Sequence, residues 1–142
     1  MKISEMKINS AAVEQGEWVG AAYGSPIPEM GDLCLRVRGM ANADFRALQT
    51  RLFEATPRSR RPNNRLVPQE ADRIFTECMI ETILLDWKGM LGEDDAEVPF
   101  SKALSRKLLS DADMKPFKDA VAWAASTVGE MRAADADATA KN

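Results

Sequence analysis

The sequence predicts a mainly α-helical α+β domain, in which a small N-terminal antiparallel β unit is followed by about four helices. Two observations predict this class. Apolar Leu33, Leu35 and Val37 alternate with Cys34 and arginines, which is the period of a strand. From residue 42 onward, apolar residues recur instead at helical spacing. We therefore expect a single domain over residues 1–132, with a β-rich part at 1–40 and a helical part at 42–132.

The N-terminal β unit is predicted from three short segments. Besides the strand at 33–37, Met6 and Ile8 alternate with Glu5 and Lys7, and a further strand is expected at 17–20. Glycines and prolines between 16 and 31 predict turns. A sheet of this size needs helices to cover its apolar face.

Two helices are predicted in the middle of the chain. Asn42 suits the cap of a first helix that ends near Thr56, just before Pro57. Pro68 suits the first position of a second helix, and Gly89 suits its end. Because apolar residues cover well over one stripe of that second segment, we expect a central helix that is buried on several sides.

Two further helices complete the prediction. Ser101 can cap a short helix that ends near Ser110, and Asp111 or Asp113 can cap the last one. The last helix carries an apolar stripe of only two heptads, so a core inside the domain is favoured over an intersubunit coiled coil. The stripe consists of Phe117, Val121, Ala124, Val128 and Met131. Residues 133–142 are predicted to be a disordered tail, because large apolar side chains are missing there.

Composition and charge exclude several classes of function. The 142 residues carry a net charge of −3 and no histidine, which excludes catalytic triads and Cys/His zinc sites. An acidic chain is also a poor match for nucleic acid or a membrane surface, and charged residues interrupt every long apolar stretch. Cys34 and Cys78 lack CxxC spacing, which favours a reducing, cytosolic compartment. We expect a protein that is not an enzyme and holds no cofactor or metal.

The acidic stretch between Gly92 and Glu97 is predicted to be a solvated turn. Its acids, Glu93, Asp94 and Asp95, do not follow the spacing of a calcium-binding loop.

Five residues are candidates for contact with a partner. Arg58, Arg60, Arg61 and Arg65 lie in a polar segment with two prolines, which predicts a mobile loop. Such a cluster can bind phosphates, but no aromatic residue is interleaved with it. A loop that meets solvent or an acidic neighbouring subunit is therefore favoured. Trp18 is the tryptophan expected to be exposed, because its flanks are rich in glycine.

Several segments, taken in order, resemble the tail assembly chaperones of long-tailed bacteriophages. The order of these segments carries more of the resemblance than any one of them, and together they span most of the chain. They are Trp18-Val19, the strand from Leu33 to Gly39, Ala43-Asp44-Phe45-Arg46, Ile83-Leu84-Leu85-Asp86-Trp87, Val98-Pro99-Phe100-Ser101, and the last helix with Ala120-Val121-Trp123-Ala124-Ala125.

The resemblance implies a non-enzymatic protein that binds the tape measure protein and keeps it soluble until the tail tube polymerises around it. It also implies self-association, a location in the host cytoplasm during assembly, and absence from the mature virion. The tail tube protein is a second candidate partner. In addition, Ala140-Lys141-Asn142 can be encoded by a slippery heptamer, so a longer frameshifted product is a hypothesis that the gene sequence tests.

Two other functions remain open from the sequence. One is a structural component of the phage tail or head–tail connector, which would stay in the particle. The other is a small nucleic-acid-binding regulator, which rests only on the arginine loop and predicts binding that weakens steeply with salt.

Overall fold

The computed structural model describes residues 1–129. The predicted domain end at 132, Met131 of the apolar stripe and the predicted tail at 133–142 lie outside the described residues.

The described chain contains five α-helices and three β-strands, which confirms the α+β class. In chain order they are α1 (Ser10–Gln15), β1 (Glu17–Val19), β2 (Cys34–Val37), α2 (Ala43–Ala55), α3 (Pro68–Cys78), β3 (Leu84–Lys88), α4 (Lys102–Ser110) and α5 (Lys115–Thr127). Short 3₁₀ turns lie at Ile3–Met6, Ala21–Tyr23, Arg58–Arg60, Pro62–Asn64 and Ala112–Met114, and a π-helical turn spans Met79–Ile83.

The sheet is antiparallel, with β2 in the centre and the order β1-β2-β3. Leu35 is paired with Val19 on one side and with Trp87 on the other, so these side chains share one face. All three are buried, with Leu35 fully so, and this row belongs to the hydrophobic core. The opposite face carries the cross-strand row formed by Trp18, Arg36 and Asp86.

The second predicted helix is wrong in its C-terminal half. The sequence predicts a helix from Pro68 to Gly89, but α3 ends at Cys78, and β3 occupies Leu84–Lys88 after the π-helical turn. A short apolar run fits a buried strand as well as a buried helix, and periodicity alone does not separate the two. Tertiary structure favours the strand here, because the segment pairs with the second edge of β2. The expected burial of this segment is confirmed, since Met79, Ile83 and Trp87 all lie in the core.

The strand predicted around Met6 and Ile8 does not form, although Ile8 is a β-bridge residue. The chain forms a 3₁₀ turn at Ile3–Met6 and then α1, whose first turn is capped by Asn9. The Asn9 side chain accepts a hydrogen bond from the Ala12 amide at 3.2 Å, which is the geometry of an N-cap. The strand expected at 17–20 is confirmed as β1.

The remaining helix boundaries agree closely with the sequence. Asn42 caps α2 by accepting from the Phe45 amide at 2.7 Å, and Ser101 caps α4 by accepting from the Leu104 amide at 3.0 Å. Asp111 caps the turn that leads into α5, and Pro116 lies in the first turn of that helix. The apolar stripe of α5 is buried inside the domain from Phe117 to Val128, as expected.

Candidate interaction surfaces

The arginine loop, residues 57–65, connects α2 to α3 through two 3₁₀ turns. Asn63 and Asn64 adopt left-handed backbone conformations with φ of 55° and 60°. Asparagine tolerates this region better than most residues, which explains the Asn-Asn pair at this corner. The loop therefore has a defined backbone path between the two helices.

Two of the four arginines are held by the protein itself. Arg61 donates to the Thr56 carbonyl at 2.8 Å and to the Asn64 side chain at 3.2 Å, while its guanidinium lies 5.2 Å from the centre of the Phe53 ring. Arg60 forms an ion pair of 2.7 Å with Glu70 on α3. These contacts stabilise the base of the loop.

Arg58 and Arg65 are free to meet a partner. Both residues are exposed. Within residues 1–129 their side chains form no hydrogen bond or ion pair. The structure thus divides the predicted cluster into two anchoring arginines and two that present charge to solvent.

Glu70 is the buried acid that holds the loop to α3. Its side chain is 7% exposed and forms ion pairs with Arg60 and Arg73 at 2.7 and 2.8 Å. The hydrogen bond from Arg60, followed by that from Arg73, lowers the pKa of this carboxyl below its ordinary value. The ion pairs therefore stabilise the fold above the ordinary carboxyl pKa, and this contribution is lost as the pH falls through the lowered pKa.

Replacing Glu70 with glutamine is expected to lower the melting temperature at pH 7, and the difference from the wild type should shrink below about pH 4.3. Circular dichroism melts between pH 7 and pH 3 measure this. Glu54→Gln is the matched control, because Glu54 is exposed and forms no ion pair within residues 1–129. A difference for Glu70→Gln that stays constant with pH would contradict the account.

Trp18 stacks on Tyr23, and Lys88 forms a cation–π contact with the Trp18 ring. The two rings stack with centroids 5.7 Å apart, and the Lys88 ammonium lies 4.2 Å from the centre of the Trp18 ring. Lys88 also donates to the Tyr23 hydroxyl at 2.9 Å, a hydrogen bond that raises the pKa of the lysine. Trp18 is half-buried rather than exposed, which corrects the expectation of a free side chain. No hydrogen bond, ion pair or ring contact within residues 1–129 joins it to the arginine loop.

An apolar groove lies where α1, the β2–α2 connection and the end of α5 meet. Its volume is about 280 Å³, enough for one large side chain. Three backbone hydrogen bonds join these segments: Asn9 to Gly129, Gly39 to Val13, and Met40 to Ala125. The groove is lined by Ile8, Val13, Met40, Ala41, Ala125, Ser126, Val128 and Gly129.

Small residues allow the close approach that forms this groove. A side chain at Gly39 would place its Cβ 2.8 Å from Val13, and one at Gly129 would overlap the same valine. The pKa of the Glu17 carboxyl is raised above its ordinary value, because burial opposes its charge.

The N-terminal segment adjoining the groove exposes large apolar side chains. Ile3 is 76% exposed, Met6 is 57% exposed, and Ile8, at the rim of the groove, is 58% exposed. Apolar surface gathered in one segment beside a groove is typical of an interaction site. The sequence does not predict this surface, because the alternation at Met6 and Ile8 indicates a strand with one buried face.

A second depression of about 430 Å³ lies between α3 and the α4–α5 turn. Its floor contains Phe75 and Leu109. Its lysines already have partners, since Lys118 pairs with Asp72 at 2.7 Å and Lys115 pairs with Asp119 at 2.8 Å. The rim therefore presents little net charge to a ligand.

The described chain offers binding surfaces but no metal-binding constellation. Among residues 1–129, no group of three or more metal-ligating side chains converges. Cys34 and Cys78 are buried free thiols, and burial raises the pKa of Cys78, which keeps it protonated. No helix within the same residues is both long and apolar enough to span a membrane.

Comparison with known families places the chain among phage proteins. The model of the YdaY prophage protein family matches residues 40–142, well over half of the chain. The chain belongs to this family. The matched part begins at Met40 in the apolar groove and includes the arginine loop, β3 and all helices from α2 onward. Neither the curated proteins nor the solved structures give a match.

Proposed function

We propose that this prophage protein is a tail assembly chaperone that binds the tape measure protein and keeps it soluble while the tail tube assembles. The observation that carries the proposal is the apolar groove with its exposed N-terminal segment. A tape measure protein is a long helix-rich chain whose apolar strip would aggregate unless another protein covered it. A groove that accepts apolar side chains from such a helix suits that task.

The partner helix would place one large side chain in the groove and lay its apolar strip along Ile8, Met6 and Ile3. These side chains are exposed and uncharged, so they can be covered without removing a charge from water. Covering each of them contributes about 1.5–3 kcal/mol before the entropic cost of binding is subtracted. Binding of this kind is non-enzymatic and reversible, which allows release when the tube forms.

Family membership in prophage proteins supports a place in phage assembly, and the resemblance to tail assembly chaperones supports the tape measure protein as the partner. The tail tube protein is the second candidate partner. We place the chain in the host cytoplasm during assembly and outside the finished virion. Arg58, Arg65 and Trp18 remain proposed partner contacts beside the apolar groove.

Substituting both Met6 and Ile8 with aspartate is expected to weaken binding to the tape measure protein at least tenfold, which corresponds to about 1.4 kcal/mol. The cause is that two charges would enter a contact that excludes water. Pull-down from cells that co-express the two proteins, followed by titration of the purified pair, measures the change.

Leu91→Asp is the matched control, because Leu91 is 58% exposed like Ile8 but lies outside the groove. It should bind as the wild type does. Equal weakening by Leu91→Asp would contradict the assignment of this groove. Retention of the chain in purified particles would instead favour a structural component of the tail or head–tail connector.

A further inference from the structure

The arginine loop borders an open concavity that is lined by hydrogen-bond donors. Its volume is about 390 Å³, and its lining consists of Arg58, Arg61, Pro62, Asn63 and Asn64. Two guanidinium groups and two side-chain amides therefore border the same space. No carboxylate among residues 1–129 contributes to this lining. The concavity is thus positively charged and suits an anion.

Arg61 is fixed in the wall of this concavity. Its Nε donates to the Thr56 carbonyl, its Nη1 donates to the Asn64 side chain, and its guanidinium lies against the Phe53 ring. A guanidinium has more N–H donors than these two bonds use, and Nη2 makes no hydrogen bond or ion pair within residues 1–129. A half-buried guanidinium with a fixed plane and unused donors is pre-organised to bind an oxyanion.

The two asparagines add neutral donors to the same space. The Asn64 oxygen accepts from Arg61, so the amide nitrogen of this side chain is left to donate outward. The Asn63 side chain makes no hydrogen bond in the described part of the chain. Arg58 is exposed and brings a second guanidinium to the rim. Donors therefore reach the concavity from several directions.

Depressions of similar size elsewhere on the protein have a different chemistry. One of about 410 Å³, beside α2, contains Arg51 together with Asp44, Glu77 and Glu81. The depression between α3 and the α4–α5 turn contains three aspartates, and its lysines are already paired. Carboxylates at both places would repel an anion. The arginine loop differs from them in combining cations and amides without an acid.

We propose that this concavity binds a phosphate group, as inorganic phosphate or as a phosphate of a nucleic acid strand. A phosphate group is tetrahedral and accepts hydrogen bonds from several directions, which suits guanidinium and amide donors on different sides. No aromatic residue within the loop is available to stack on a base, so the contact would not depend on base sequence. This inference goes beyond the proposed function and does not rest on it.

Nuclear magnetic resonance titration of the ¹⁵N-labelled full chain with sodium phosphate, at constant ionic strength, tests the inference. We expect saturable shifts of the Arg61 Nε signal and of the Asn63 and Asn64 side-chain amide signals. Succinate, a dicarboxylate of similar charge, is titrated in parallel and should bind at least about tenfold more weakly. The assay contains no tape measure protein, so its failure is separate from a failure of the proposed function.

The loop variant combines Arg58→Gln with Asn63→Gly. Glycine keeps the left-handed backbone at this position while removing the amide, and Arg61 stays in place to anchor the loop. We expect the affinity for phosphate to fall about tenfold, with a nearly unchanged melting temperature. Arg51→Gln is the matched control, because it removes the same charge from the depression that contains acids, and it should bind phosphate as the wild type does.

A mixed-sequence single-stranded oligonucleotide identifies the source of the phosphate group. Tighter binding than inorganic phosphate, weakened by salt and by the loop variant, would assign the site to nucleic acid. Binding no tighter than inorganic phosphate would assign it to a small phosphate ligand. The inference would be overturned by a wild type that shows no saturable shift with phosphate, by succinate binding as tightly as phosphate, or by a loop variant that binds like Arg51→Gln.

Discussion

Replacing Asn42 with alanine is expected to lower the free energy of unfolding by about 3 kcal/mol, a large fraction of the 5–15 kcal/mol that holds a domain folded. Asn42 is fully buried and makes three hydrogen bonds. Its oxygen caps α2, and its amide donates to the Gly39 carbonyl at 2.8 Å and to the Thr82 carbonyl at 3.2 Å. Alanine would remove the cap and the two bonds donated by the side-chain amide, each at a cost of about 1 kcal/mol. The Gly39 carbonyl would keep the bond of 3.1 Å from the backbone amide of residue 42, whereas the Thr82 carbonyl would lose its bond from the side chain.

Urea denaturation of the wild type and the variant measures this loss. Ser101→Ala is the matched control, because Ser101 makes the same kind of cap on α4 at an exposed position, and its side chain makes no other hydrogen bond within residues 1–129. Its expected cost is about 1 kcal/mol. Equal losses in the two variants would contradict the role of Asn42 in joining α2 to the π-helical turn.

Replacing Gly89 with alanine is expected to lower the free energy of unfolding by about 3 kcal/mol, for two separate reasons. Gly89 follows β3 with a φ of +80°, a conformation that costs any residue with a Cβ about 1–2 kcal/mol. A Cβ at this position would also lie 2.9 Å from the Asp32 carbonyl oxygen. Because that oxygen belongs to the backbone just before β2, relief of the overlap requires a shift between neighbouring strands.

Gly31→Ala separates the two causes. Gly31 has a φ of +56°, but a Cβ there would meet nothing within 4 Å. Only the conformational cost should remain, about 1 kcal/mol. Thermal melts of both variants measure the difference. A Gly89→Ala variant no less stable than Gly31→Ala would show that the approach of Asp32 to β3 is not as close as the structure indicates.

Local signals were sufficient for those parts of the fold whose ends are fixed by nearby residues. Asn42 and Ser101 each begin a helix through a bond to an amide three residues later, and this spacing is visible in the sequence. The strand at Cys34–Val37 could likewise be predicted, because apolar and polar residues alternate where one face of a strand is buried. These elements agree with the sequence within one or two residues.

The segment after Cys78 could not be assigned locally. Its apolar residues suit a helix and a strand equally, and the outcome depends on pairing with β2, about fifty residues earlier in the chain. The third strand of the sheet therefore comes from a region predicted as helix. Long-range pairing of this kind leaves no periodic signal in one sequence.

The candidate interaction surfaces were predicted only in part. The arginine loop was recognised from composition, but its division into anchored and free arginines depends on Glu70 and Phe53, which lie in the flanking helices. The apolar groove was not predicted, because its lining includes residues as far apart in the sequence as Ile8 and Val128. One available signal was the presence of three large apolar residues, Ile3, Met6 and Ile8, within six positions of a segment that forms no long amphipathic pattern.

The most direct test of the proposed function is the solubility of the tape measure protein from the same prophage, expressed with and without this chain. We expect the tape measure protein to be aggregated when expressed alone, and soluble and co-purifying when this chain is present. The variant with Met6→Asp and Ile8→Asp should fail to solubilise it, whereas Leu91→Asp should succeed. A tape measure protein that stays insoluble and unbound in the presence of the wild-type chain would contradict the proposal.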